Sequence, residues 1–214
     1  MKTVYDAKIL GLPKIEDPRG NLSIIEQMKQ IPFEIKRTYW IYDVPGGKDR
    51  GGHAYKENEE FIVALSGSFD VELDDGKNKQ KFSLNRSYHG LYVPKGMWRT
   101  MTNFSTNSLA LVLSSTEYDE NDYIMDYEEF KRWTKDNTIQ TVSSDARTSV
   151  KVNEVDSQGM LKEGKSVFDC SLCELNKMHD PEGNLTYMYE NVHVPFPINR
   201  VFYSYDIPGG EDRG

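Results

Sequence analysis

GKDRGGHAYKENEEFIVALSG, residues 47–67, is the stretch that decides the fold of this chain. It opens on glycines and charged turn residues, passes through a short segment with one histidine, and ends in the apolar run FIVALS, stopped by Gly67. Apolar, β-branched residues extend a chain and glycines bend it, so the stretch reads as turn, strand, strand. Outward from it the same rhythm holds. RTYWIYDV at 37–44 is a strand, PGGKDRGG at 45–52 a turn cluster, and FIVALSGSFDVELDDG at 61–76 two strands broken at Ser66-Gly67 and closed by Asp75-Gly76. GLYVP at 90–94 and SLALVLSS at 108–115 are further strands, and YIMDYEEFKRW at 123–133 is the first helical pattern. Short strands at regular spacing, with no earlier long amphipathic helix, predict an all-β sandwich or barrel followed by a short C-terminal helix.

The chain then begins to repeat itself. DPRGNLSIIEQMKQIPFEIKRTYWIYDVPGGKDRG at 17–51 returns without a gap as DPEGNLTYMYENVHVPFPINRVFYSYDIPGGEDRG at 180–214, with about half the positions identical. Upstream, VYDAKILGL at 4–12 answers VFDCSLCEL at 167–175. The expected organisation is a complete domain over 1–133, a polar linker over 134–166 and a truncated second repeat over 167–214, in a natural protein with two such domains. The second copy repeats Arg37, Tyr39 and Arg50 as Arg200, Phe202 and Arg213 but has no counterpart of His53, so it is not an independent site. Its strands are expected to pair with an open sheet edge, within the chain or across a dimer, or to stay partly disordered.

Composition narrows the function. Thirteen Tyr, nine Phe and three Trp among 214 residues supply a β-rich core. A net charge of −8 with no basic stripe argues against non-specific nucleic-acid binding. No apolar run approaches the roughly 20 residues that span a bilayer, and the start MKTVYDAKIL lacks a signal-peptide core, so a cytoplasmic location away from membranes is expected. The only cysteines, Cys170 and Cys173, form a C-x-x-C without further ligands at zinc spacing or a βαβ context; they read as ordinary strand residues.

Gly47, His53, Tyr55, Glu60 and Gly67 stand at the spacing of the first cupin motif, and Pro94, Gly96, Arg99 and Asn103 resemble the second. The first domain thus resembles a cupin jelly roll, a double-stranded β-helix. A metal-dependent cupin uses about three His and a carboxylate. Here only His53 is kept, Tyr55 and Arg99 take two ligand positions, and Glu59 or Glu60 could give the carboxylate. The fixed charge of Arg99 would repel a cation, so no metal is expected at this site. His89 reads as a solvated loop histidine.

More specifically, IPFEIKRTYWIYDVPGG at 31–47, RGGHAYK at 50–56, LSGSFDVELDDG at 65–76, GLYVPKGMWRTM at 90–101 and YDENDYIMDYEEF at 118–130 resemble the cupin-type sugar-nucleotide 3,4-ketoisomerases, the WxcM-like C-terminal domain. That resemblance implies a homodimer with no cofactor, binding a dTDP-linked 4-keto-6-deoxy sugar in the barrel. It implies enolisation: a base takes the C3 proton and a proton returns at C4. His53 and Tyr55 are the implied catalytic pair, the latter replacing a second family His; residues i and i+2 of a strand share a face. An imidazole can act as base, whereas a phenol is mostly a proton donor.

Arg37, Arg50 and Arg99 are phosphate-binding candidates, with Lys56 beside them, because guanidinium groups bind phosphate oxygens bidentately. Tyr39, Tyr92 and Trp98 could stack on the base or line the sugar pocket, and each could equally be core. Glu60 stands where the resembled family usually has Gln. Three functions follow in order: a metal-independent 3,4-ketoisomerase in deoxysugar biosynthesis for surface polysaccharide, a cupin-type sugar-nucleotide epimerase, or a non-catalytic nucleotide-sugar-binding domain.

Overall fold

A computed structural model of the chain describes residues 2–140 and 174–209. Its strands, in chain order, are β1 (Lys8–Gly11), β2 (Lys14–Ile15), β3 (Asn21–Glu26), β4 (Arg37–Tyr42), β5 (Arg50–Tyr55), β6 (Glu60–Ser66) and β7 (Phe69–Asp74). They continue as β8 (Lys79–Leu84), β9 (His89–Val93), β10 (Trp98–Thr102), β11 (Leu109–Ser114) and β12 (Tyr123–Ile124). After helix α1 (Tyr127–Gln140) come β13 (Lys177–Met178), β14 (Asn184–Tyr189) and β15 (Arg200–Tyr205).

Three sheets stack. A seven-stranded sheet ordered β1-β9-β6-β11-β4-β14-β13 faces a five-stranded sheet ordered β12-β5-β10-β7-β8, and β15-β3-β2 covers the outer side of the first. Period-two alternation sorts the side chains. Ile41, Ile62, Ala64, Leu91 and Val112 point from the large sheet onto Val71, Leu73 and Met101 of the smaller one. Their strand neighbours Phe61, Val63, Leu111 and Leu113 point the other way, onto Ile25, Ile31, Phe33 and Ile35. On the far side of the five-stranded sheet, α1 lays the fully buried Phe130 over Ala54, Ile124 and Trp98. This is the cupin jelly roll that the motif spacing predicts.

Several boundaries move. Residues 50–52 belong to β5, which makes the turn cluster shorter than its glycines suggest. Tyr123 and Ile124 pair with Tyr55 and Ala54 as a short strand, so the helix begins at Tyr127 and runs on to Gln140, into the stretch expected to be linker. β8 had no expectation at all; its sequence KQKFSL is mostly polar because one face of that edge strand meets water. The remainder of the expected linker, and Cys170 and Cys173, lie outside the described residues.

The second repeat is paired into the first domain. β14 runs antiparallel to β4 with Asn184 opposite Tyr42 and Tyr189 opposite Arg37. β15 runs antiparallel to β3 with Tyr205 opposite Asn21 and Arg200 opposite Glu26. Of the alternatives left open by the sequence, pairing within the chain is the arrangement found.

Candidate active site

The site lies between the two large sheets, in a cavity of about 350 Å³. β4 supplies Arg37, Tyr39 and Ile41 from alternate positions, and β5 supplies Arg50, His53 and Tyr55. Arg99 enters from β10, opposite His53, where a bulge between Arg99 and Thr100 shifts the register. Gly51 makes this approach possible. Its φ is +92°, and a Cβ there would stand 2.7 Å from the Arg99 carbonyl oxygen.

Arg99 organises the floor. Its side chain is 3% exposed, with Nε 2.8 Å from Glu60 Oε2, an ion pair set off the hydrogen-bond direction. Glu60 also accepts a 2.6 Å hydrogen bond from the Tyr39 hydroxyl. Burial opposes the charge on Arg99, but Glu60 and the surrounding tyrosines outweigh it and its pKa rises. Arg37 behaves likewise: burial opposes its charge, Tyr39, Tyr55, Tyr123 and Glu60 favour it, and it stays cationic. Arg37 Nε and Arg99 Nη1 are buried with no hydrogen-bond partner among the described residues. Two lining guanidinium groups thus keep unused donors, which suits an anionic ligand.

His53 Nε2 lies 3.1 Å from Arg99 Nη2. A guanidinium can only donate, so Nε2 is the acceptor and the ring proton sits on Nδ1. Burial first, then the positive charge of Arg99, pushes the His53 pKa down to about 3. The imidazole is therefore neutral across the physiological range. Beside it, the Tyr55 hydroxyl donates to the Tyr123 hydroxyl at 3.0 Å, and the ring centroids of His53 and Tyr55 are 4.9 Å apart. Burial raises the Tyr55 pKa well above its ordinary value, which keeps the phenol protonated. A neutral imidazole whose basic Nε2 is screened by Arg99, and becomes available when that guanidinium turns to a substrate oxygen, can remove one proton at neutral pH, and the chain of two phenols can supply another.

Of the residues singled out in the sequence, Arg37, Tyr39, Arg50, His53, Tyr55 and Arg99 line the cavity, and Glu60 supports them from below. Three others are corrected. Trp98 adjoins Arg99 on β10 and so faces outward, against Tyr127 and Phe130. Tyr92 likewise points to the outer side of its sheet, toward Phe33, and donates to Glu59. Lys56 follows the last residue of β5 and reaches the Asn121 carbonyl oxygen at 2.7 Å, away from the cavity. His89 is exposed as expected, although it opens β9 instead of lying in a loop.

Four further aromatic residues, which no sequence motif marks as site residues, complete the lining. Tyr118 and Tyr123 flank an acidic run that reads as a turn and helix start; their one sequence signal is that they fall in the 118–130 stretch that carries the family resemblance. It is the pairing of Tyr123 with Tyr55 that brings them to the cavity. Tyr187 and Tyr189 come from the second repeat, where their first-copy counterparts are Ile24 and Glu26.

Comparison with known proteins bears on this arrangement directly. The sequence profile of the family described as WxcM-like, C-terminal matches residues 5–135 and 168–214. The chain belongs to this family. A curated relative, the TDP-4-oxo-6-deoxy-α-D-glucose-3,4-oxoisomerase of Aneurinibacillus thermoaerophilus, is 45% identical over 126 residues, 59% of this chain and 91% of the relative. A 3,4-ketoisomerase from Helicobacter canadensis superposes with a TM-score of 0.60 at 47% identity, covering 61% of this chain and 98% of that one. The sugar 3,4-ketoisomerase QdtA from Thermoanaerobacterium thermosaccharolyticum, solved with TDP, gives 0.61 at 34% identity, with coverage of 63% and 98%. The WxcM-like match falls on both copies of the repeat, so the family's sequence pattern extends over the strands that close the cavity here.

Proposed function

We propose that this chain isomerises a TDP-linked 4-keto-6-deoxyhexose to its 3-keto isomer, as an enzyme of deoxysugar biosynthesis. Relatives at 45–47% identity named as 3,4-oxo- or ketoisomerases support the reaction class. The observation that carries the mechanism is the His53 imidazole, unprotonated at Nε2 and held in a cavity with Arg37, Arg50 and Arg99. Arg37 and Arg50 take the diphosphate, and Arg99, beside His53, faces the reacting carbons. As Arg99 turns from His53 to the C4 oxygen, Nε2 is freed and removes the C3 proton, and the electron pair flows into the C4 carbonyl, giving an enediolate. Tyr55 donates its phenolic proton to that oxygen and is reprotonated through Tyr123. The O3 hydroxyl proton passes to Tyr123, restoring the phenol pair as the C3 carbonyl forms, and His53, its proton exchanged with solvent, protonates C4. Arg99 has two effects: it weakens His53 as a base, and its charge stabilises the oxyanion that proton removal creates. Cytoplasmic action on a route to an aminodeoxyhexose for surface polysaccharide is the setting we assign to the product.

Proton NMR of dTDP-4-keto-6-deoxyglucose incubated with the chain in deuterated water tests this. The expected result is a ketone appearing at C3 with deuterium entering C4, and a drop in turnover of about 10²-fold in Tyr55→Phe, the size of a lost general acid. Exchange at C3 and C5 with the ketone still at C4 would overturn it in favour of an epimerase. TDP binding without any exchange would leave a binding domain.

A further inference from the structure

The two inter-repeat ladders are the same contact made twice. A shift of 163 positions carries the first copy onto the second, Asp17 onto Asp180. Under that shift, Asn184 opposite Tyr42 becomes Asn21 opposite Tyr205, and both registers occur. Side chains obey the same exchange. Asn184 Nδ2 donates to Asp43 Oδ2 at 2.9 Å, and Asn21 Nδ2 donates to Asp206 Oδ2 at 3.1 Å. Tyr42 meets Thr186 at 3.0 Å, and Tyr205 meets Ser23 at 3.1 Å. Even the left-handed backbone recurs, with φ of 55° at Asp43 and 54° at Asp206. A patch that binds its own copy with roles exchanged is the isologous geometry of a two-fold dimer.

We propose that residues 174–209 take the place of a second copy of the first domain within one chain, and that Tyr187 and Tyr189 thereby form the base-binding wall of its cavity. On β14 these two tyrosines and Leu185 lie opposite Arg37, Tyr39 and Ile41 of β4, and all six line the cavity. A separate copy would bring Leu22, Ile24 and Glu26 to the same places. The difference is chemical. A carboxylate from Glu26 beside Arg37 would neutralise a phosphate-binding cation and repel a diphosphate. Tyr189 removes that charge, and with Tyr187, its centroid 5.3 Å away, presents aromatic surface of the kind on which a nucleobase stacks. Asp180, 3.3 Å from Arg50, is unchanged from Asp17 of the first copy, so the chemical difference between the two walls lies at Tyr187 and Tyr189. The homodimer implied by the family resemblance thus has its counterpart inside this chain.

The nucleotide role of the tyrosines rests on the ketoisomerase reading; the pairing in cis does not. Both are tested on the full chain. Glu26 and Arg200 face each other across the β3–β15 ladder, close enough for a disulfide once both are cysteine. With Cys170 and Cys173 changed to Ala, oxidised Glu26→Cys/Arg200→Cys protein is expected to form an internal cross-link at the 24.7 kDa mass of one chain, by non-reducing electrophoresis and light scattering. Cross-linked dimers would overturn the pairing in cis. Calorimetry with TDP then compares the parent with Tyr187→Ile/Tyr189→Glu, which restores the first copy's residues, and with Tyr187→Phe/Tyr189→Phe, which keeps the rings. The first pair is expected to weaken binding about tenfold or more, and the phenylalanines to recover most of it. Equal affinity in parent and Ile/Glu variant would overturn the wall. A parent that does not bind TDP would remove the ketoisomerase reading and the tyrosines' nucleotide role together, leaving the cross-link to decide the pairing.

Discussion

At the scale of single residues, the chemistry turns on His53 being neutral. Its pKa is depressed to about 3 by burial and by Arg99, against about 6.5 in an unfolded chain. The unfolded state therefore binds a proton between those values that the folded state does not, so stability is complete above about pH 6.5 and falls as pH drops toward 3. The urea midpoint of the parent is expected to fall more steeply over that window than that of His53→Gln. Carbon NMR of the labelled ring should show no titration near 6.5; a midpoint there would mean that Arg99 does not face Nε2 in solution. Glu60 gives the second prediction. It and Arg99 are 2% and 3% exposed as a pair, and removing one partner of a buried pair leaves the other charge uncompensated. Glu60→Ala is expected to cost about 3–5 kcal/mol in chemical denaturation. A loss below 1 kcal/mol would show that water reaches Arg99.

At the scale of elements, strand alternation decided which sequence candidates reached the cavity. His53 and Tyr55 point inward with Ala54 outward, a pattern legible from the spacing alone. The same parity would have removed Trp98, since Arg99 next to it points in. What local sequence did not carry was closure: β12 is two residues long, and its Tyr123 gains meaning only from standing opposite Tyr55. The β5–β10 bulge was equally hidden, because a glycine pair reads as a turn whether it bends a loop or a strand. Gly51 tests how far that bulge positions the histidine. Gly51→Ala meets both a φ of +92° and a contact 2.7 Å from Arg99 O, so β5 must shift relative to β10. The expected stability cost is about 1–3 kcal/mol. Turnover should fall further, about 10²-fold, because displacing the base by roughly 1 Å is costly. Unchanged turnover in a folded variant would mean that His53 is held by the cavity and not by the bulge.

At the scale of the molecule, the second repeat has no core of its own among the described residues. Ile198 is buried within the cluster that holds Phe61, Val63, Leu111 and Leu113 of the first domain, and Met188, Val194, Val201 and Tyr203 pack against the same cluster. Phe202, on the opposite face of β15, is 64% exposed. The sequence revealed the repeat at once but not where it docks, because a strand's partner is set by an edge and a register that no local pattern specifies. Without a separate core the repeat cannot melt as a separate unit, and it also walls the cavity. Calorimetry is therefore expected to show a single unfolding transition that rises with TDP, by about 2.7 kcal/mol of added stability at a hundredfold excess over the dissociation constant. Two transitions with only one moved by TDP would mean that the repeat unfolds without opening the site, and that the β4–β14 ladder contributes little to the fold in solution.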